Sequence, residues 1–261
     1  MNRSTGVRPR PVSVLAAAGL LTALTACSGL PGTTGPTGPA ATPTSQSPAA
    51  LPTPSAAATL TAAQARSALI TEADLGAPWE PTRGAATWRD GRLKAVAEDP
   101  DCRRLLDVLY TEDVFGNDRA PRAAVGLDDT GEASQLHYRI TAHRAADVDR
   151  TLAWLRELPE RCGSFPARTA AGDAQEVRVT GLPLPEAGDA RQGLRVTLSA
   201  PATGREDTVL TVVLAAVRVG DDAISLTHGG LGEISDETAR TSVETGARRL
   251  AEVHRQGRVQ V

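Results

Sequence analysis

Asp207-Thr-Val-Leu-Thr-Val-Val-Leu-Ala-Ala-Val-Arg-Val219 is apolar on two sides at once. In an extended chain successive side chains point to opposite faces. Leu210, Val212, Leu214 and Ala216 therefore share one side, and Val209, Val213, Ala215 and Val217 the other. A half-exposed strand would alternate apolar with polar residues. This one does not, so it is expected to be covered on both faces and to lie centrally in a sheet. Gly220-Asp221 follows as a short hairpin turn, and 223–228 supplies the returning strand.

Working outward, further extended runs are expected at about 174–180 and 191–200. The cleanest alternation lies at 133–143. There Leu136, Tyr138, Ile140 and Ala142 face one way, while Gln135, His137, Arg139, Thr141 and His143 face the other. The second set reads as a solvated face, with a docking stripe around Arg139 as the alternative. Thr61-Ala-Ala-Gln64 is a capping box opening a short helix through Ile70, and Thr71-Glu-Ala-Asp74 repeats the signal with Gly76 to close the turn. The stretch through Trp79 and Trp88 is expected to be extended. Asp99-Pro100 pairs an N-cap with proline at the first helical position, and Cys102, Leu105, Leu106 and Leu109 then recur at helical spacing. A helix at about 146–158 carries Val148, Leu152 and Leu155 on its stripe, with Pro159 as its stop and Cys162 just beyond. The last helix begins at Ser235 with Asp236 and Glu237 in its first turn, bears Val243, Ala247 and Leu250, and should stop at Gly257.

Hairpin-like spacing predicts an α+β fold: an antiparallel β-sheet with helices packed against it, one domain over 60–261. Two arrangements of the long helices are open. If both lie on one side, loops cover the other, leaving an apolar pocket between Trp79 or Trp88 and one face of 209–217. If they sandwich the sheet, no such pocket forms.

What precedes the domain is of a different kind. Arg3, Arg8 and Arg10 are followed by an uncharged run from Pro11 to Ala26, which ends at Leu24-Thr25-Ala26-Cys27. This resembles a bacterial lipobox, where a secreted precursor is acylated on cysteine and cut just before it. The alternatives are an uncleaved N-terminal anchor and a plain secretory signal. The expectation is thus a signal peptide over 1–26, lipid on Cys27, and a protein held on the extracytoplasmic face of the cell membrane. Residues 28–59 are rich in Pro, Gly, Ala and Thr, with too little apolar bulk to fold, and are expected to be a disordered tether.

Loss of the leader removes three arginines and no acid, taking the formal net charge from −3 to −6. An acidic chain is a poor partner for nucleic acid. Aromatics make up only 3% of the residues, so the core must be aliphatic. With Cys27 acylated, Cys102 and Cys162 remain. Export permits a disulfide and an even remainder favours one, two buried free thiols being the alternative.

Leu69-Ile-Thr-Glu-Ala-Asp-Leu-Gly-Ala-Pro-Trp79, the helix running into Cys162, Leu184-Pro-Glu-Ala-Gly-Asp189 and Ala216-Val-Arg-Val-Gly-Asp221 occur in that order. Together they resemble the extracytoplasmic sensor domain of actinobacterial lipoproteins and of receptor serine/threonine kinases of the PknH type, over about 60–256. The kinase-borne domain has two disulfides where this chain has cysteines for one. The resemblance implies sensing of a small-molecule or envelope ligand, in a cleft if one exists, and transfers no catalytic residue.

No catalytic residue, metal ligand or cofactor is expected. Gly-x-Ser-x-Gly, His-Glu-x-x-His and Ser-x-x-Lys motifs are missing. His137 and His143 on one strand would stand roughly 20 Å apart, too far to share an ion. His228-Gly229-Gly230 is similar to an oxyanion-hole loop but lacks a nucleophile elbow, and reads as a turn. Asp128-Asp129 and Asp221-Asp222 read as turn residues. A binding or sensing lipoprotein is the expectation. A cell-envelope hydrolase without a familiar motif and a structural envelope lipoprotein are the alternatives.

Overall fold

In the computed structural model, residues 60–116, 122–199 and 209–259 are described. The leader, Cys27 and the tether lie outside them. The strands are β1 (Trp79–Pro81), β2 (Ala95–Val96), β3 (Ala123–Asp129), β4 (Ser134–Ala142), β5 (Ser164–Thr169), β6 (Ala174–Gly181), β7 (Ala190–Ser199), β8 (Val209–Val219) and β9 (Asp222–Leu231). The helices are α1 (Ala62–Ser67), α2 (Glu72–Leu75), α3 (Pro100–Thr111), α4 (Ala145–Arg161) and α5 (Asp236–Val259), with a π-helical turn at Arg89–Leu93.

One antiparallel sheet holds all the strands among the described residues, in the order β1-β3-β4-β9-β8-β7-β6-β5-β2. The doubly apolar run is β8, the middle strand, as its pattern requires. Strands β5 to β9 pair in sequence order as a meander, closed between β8 and β9 by Gly220-Asp221 in the Val219↔Asp222 register. The chain enters that meander at its far edge because α4 carries it across the sheet from β4.

The helices sandwich the sheet. Leu210, Val212, Leu214 and Ala216 share a core with Leu105 and Leu109 of α3 and Leu152 and Leu155 of α4. Val213, Ala215 and Val217 share the opposite core with Val243, Ala247 and Leu250 of α5. Each fully buried aliphatic contributes on the order of 2 kcal/mol, so both faces hold β8 in place. Neither face is left to loops. The Trp79–Trp88 pocket does not form, and the two tryptophans pack into opposite cores.

The N-terminal signals behave as expected. Thr61 and Gln64 form a capping box, as do Thr71 and Asp74. Asp99 caps α3 through Asp101 and Cys102 N–H. The stops differ more. α1 ends at Ser67 rather than Ile70, because Ala68 N–H turns back to Ala65 and Arg66 carbonyls and Ile70 is buried against the α5 side. Pro159 lies inside α4, which runs to Arg161. Pro159 gives up the bond its position would make to the Leu155 carbonyl, but the helix continues past it and Cys162 N–H closes on the Leu158 carbonyl at 2.7 Å. α5 passes through Gly257 without turning. Strands β1, β2, β3 and β5 have no apolar run to announce them. β3 is Ala-Ala-Val-Gly-Leu-Asp-Asp, and β5 contains Pro166, so pairing partners rather than propensity make them strands.

Candidate functional site

Cys102 in α3 and Cys162 after α4 are joined as a disulfide, Cα atoms 5.6 Å apart. Asp99 approaches both sulfurs, but a disulfide offers no thiolate to a metal.

The His228-Gly229-Gly230 segment is packing rather than an oxyanion hole. It forms part of β9, so its side chains alternate between faces. His228 points to the α5 side, where its ring meets the Trp79 ring edge-on at 5.5 Å. Gly229 points to the other, where a Cβ would lie 2.6 Å from the Trp88 ring. The two tryptophans thus straddle β9 at consecutive residues, and only glycine admits the second. His228 Nε2 lies 2.9 Å from Ser134 Oγ, the spacing of a nucleophile and its base. Both residues are buried, however. Burial pushes the imidazole down to about 4, and a substrate would have to displace strand or helix to reach the hydroxyl.

From Gln135 to Arg139 the polar side of β4 is largely covered rather than solvated. Thr82, Gly84 and the Arg89 turn fold over it, and Glu112 at the end of α3 closes it from above. Gln135 donates through Nε2 to Asp128 Oδ1 at 2.8 Å and to the Gly84 carbonyl at 2.8 Å. Its Oε1 lies 2.8 Å from His137 Nε2. His137 Nδ1 faces Glu112 Oε2 at 3.5 Å, Arg89 pairs with the same carboxylate at 2.5 Å, and Arg139 donates to the Glu112 carbonyl at 2.7 Å. Burial lowers the His137 pKa against the raising effect of Glu112. Burial would raise Asp128, but hydrogen bonds from Thr82 and Gln135 outweigh it and hold the carboxyl low. Each member has a partner, so the cluster reads as a structural polar core. Elsewhere Asp222 is raised by burial, beside Arg122 at 3.0 Å and His254 at 3.2 Å.

The candidate site is a cleft of about 620 Å³ at the β4–α4 junction, within the usual range for ligand pockets. β4 ends at Ala142 and delivers His143 and Arg144. The first turns of α4 then present Asp147 and Arg150, while Arg104 of α3 and Phe115 complete the walls. Phe115 and His143 rings lie 5.3 Å apart. Arg104 lies over the Trp154 ring, 3.9 Å from its centroid. Asp147 accepts from Arg144 Nε at 2.9 Å and also from Arg150. These bonds, that from Arg144 foremost, hold its carboxyl below the usual range. No side chain caps the N-terminus of α4. The outer side chains are mostly solvated, Arg144 being 86% and Arg150 71% exposed. Sequence reasoning singled out only His143 here. Arg144, Asp147 and Arg150 do recur at helical spacing, but nothing in sequence brings Arg104 and Phe115 to them.

A second cleft, of about 570 Å³, lies between Arg156 of α4 and the segments 181–184 and 190–193. It carries less charge.

No protein-family model and no curated protein matches the sequence. Among solved structures the chain is similar to the extracellular domain of PknH from Mycobacterium tuberculosis, with 11% identity and a TM-score of 0.44, over 77% of this chain and 100% of that one. It is also similar to the Ran-binding protein Mog1p of Saccharomyces cerevisiae, with 10% identity and a TM-score of 0.25, over 55% and 79%. A Rhizobium leguminosarum protein shows 15% identity and a TM-score of 0.25, over 51% and 97%.

Proposed function

We propose that this chain is a cell-surface lipoprotein, anchored through acylated Cys27, whose folded domain binds or senses a small-molecule or envelope ligand without catalysis. The observation that carries the reading is Leu24-Thr25-Ala26-Cys27 at the end of an uncharged run, followed by a proline-rich stretch that ends where the folded domain begins. Acyl chains in the membrane and a spacer of such composition would hold a domain at the surface. The non-catalytic part is supported by the state of the best nucleophile–base pair. Ser134 and His228 are sealed between strands, whereas the open cleft holds positive charge and a single carboxylate. The resemblance of the turn and helix motifs to kinase-borne sensor domains points the same way.

Replacing Cys27 with Ala should leave a full-length precursor in the producing bacterium and abolish labelling by an alkyne fatty acid. Undiminished labelling of that variant refutes the anchor. Native mass spectrometry of the chain tests the binding half: a co-purifying molecule is expected.

A further inference from the structure

The geometry points to the β4–α4 cleft as a binding site for a phosphate-bearing anion, held by Arg104, Arg150, Arg144 and His143. The inference rests on the reading of this domain as a binding module and names the ligand class.

The charge balance is the first ground. The chain as a whole is acidic at −3, yet this cleft gathers three guanidinium groups against one carboxylate. Its field therefore opposes that of the molecule around it, and a concave site concentrates such a field on an entering ion. The second ground is how the arginines are held. The Arg104 guanidinium lies over the Trp154 ring, 3.9 Å from its centroid, and no described carboxylate pairs with it, so its donors are available to a ligand. Arg144 and Arg150 share Asp147, which spends part of their donor capacity and leaves the rest facing the cleft. Guanidinium forks suit phosphate oxygens better than ammonium does, and several converging forks suit a polyanion better than a lone carboxylate.

The third ground is the wall. Phe115 and His143 form an aromatic side beside the charges, so the cleft has room and apolar surface for an organic group attached to the phosphate. Phosphate on a soluble molecule and phosphate in a lipid headgroup present this same chemistry. Asp147 is then the brake on affinity: it competes with the ligand for Arg144 and Arg150.

The test uses the full chain in non-ionic detergent, with inorganic pyrophosphate as the probe in isothermal titration. Saturable binding is expected. Arg104→Gln with Arg150→Gln should weaken it roughly tenfold or more, the scale of lost hydrogen bonds to a charged group. Asp147→Asn should tighten it, a change that a misfolded variant would not imitate. Competition by dihexanoyl-phosphatidylglycerol below its micelle concentration identifies a lipid headgroup as the source. Competition by glycerol phosphate alone identifies a soluble ligand. Absence of saturable binding, equal binding by the double arginine variant, or weaker binding by Asp147→Asn overturns the inference. If pyrophosphate fails while native mass spectrometry finds another bound molecule, the phosphate inference falls and the binding-module reading stands.

Discussion

His228 shows how much one buried residue couples the fold to pH. Its Nε2 meets Ser134 Oγ, and its ring meets Trp79. Burial keeps the ring neutral and pushes its pKa down to about 4, whereas in the unfolded chain it would titrate near 6.5. Between those values the unfolded chain binds the proton and the folded one does not, so stability falls as pH falls. His228 thus contributes in full above about pH 6.5, and roughly 3 kcal/mol of that is lost by about pH 4. His137, also lowered by burial, acts in the same direction. Urea unfolding of His228→Gln, which can keep the bond to Ser134, should show a clearly shallower decline between pH 6.5 and 4. An unchanged slope would show that His228 is not the titrating group.

At the scale of elements, α5 reaches its strand through a gap. Gly246 sits in the middle of a helix of 24 residues, where alanine ordinarily stabilises by about 1 kcal/mol. Here Tyr138 of β4 fills the space, and a Cβ on Gly246 would run into its hydroxyl and fall 2.6 Å from Cζ. The ring is fully buried under Leu136 and Ile140's face of the sheet and cannot swing aside. Gly246→Ala is therefore expected to lower stability by about 1–3 kcal/mol, the range for overpacking, in thermal or urea unfolding. A more stable variant would mean that α5 does not pack this closely on β4.

At the scale of the molecule, the disulfide acts mainly through the chain it constrains when unfolded. Cys102 and Cys162 are separated by 60 residues, a span that includes β3, β4 and α4. Closing such a loop stabilises the fold by about 4 kcal/mol in the chain-entropy account. The double variant Cys102→Ala, Cys162→Ala should lose most of this in urea unfolding, while keeping its circular dichroism spectrum. A loss below about 1 kcal/mol would show that the bond adds little to the α3–α4 packing already present. That packing is one half of a three-layer arrangement, with α3 and α4 over one face of the sheet and α5 over the other.

Where a signal is local, it was legible in the residues alone. The double apolar face of 209–219 marked the middle strand, because only burial on both sides rewards such a pattern. Thr61, Thr71 and Asp99 marked helix starts, because an N-cap needs nothing beyond its own first turn. Other features depended on what arrives from elsewhere in the chain. Gln135, His137 and Arg139 alternate as a solvent-facing stripe would, since periodicity cannot distinguish water from polar partners, and those partners come from 82–93 and Glu112. Gly229 read as a turn residue until Trp88 lay against it. The cleft is the extreme case: Arg104 and Phe115 meet Arg144, Asp147 and Arg150 only because α3 and α4 pack on the same face of the sheet. Composition and spacing were enough to point to a central strand and to a disulfide, both of which the structure contains. Which helix covers which face, and hence where positive charge collects on an acidic protein, was decided by long-range packing, whose energy depends on residues far apart in sequence.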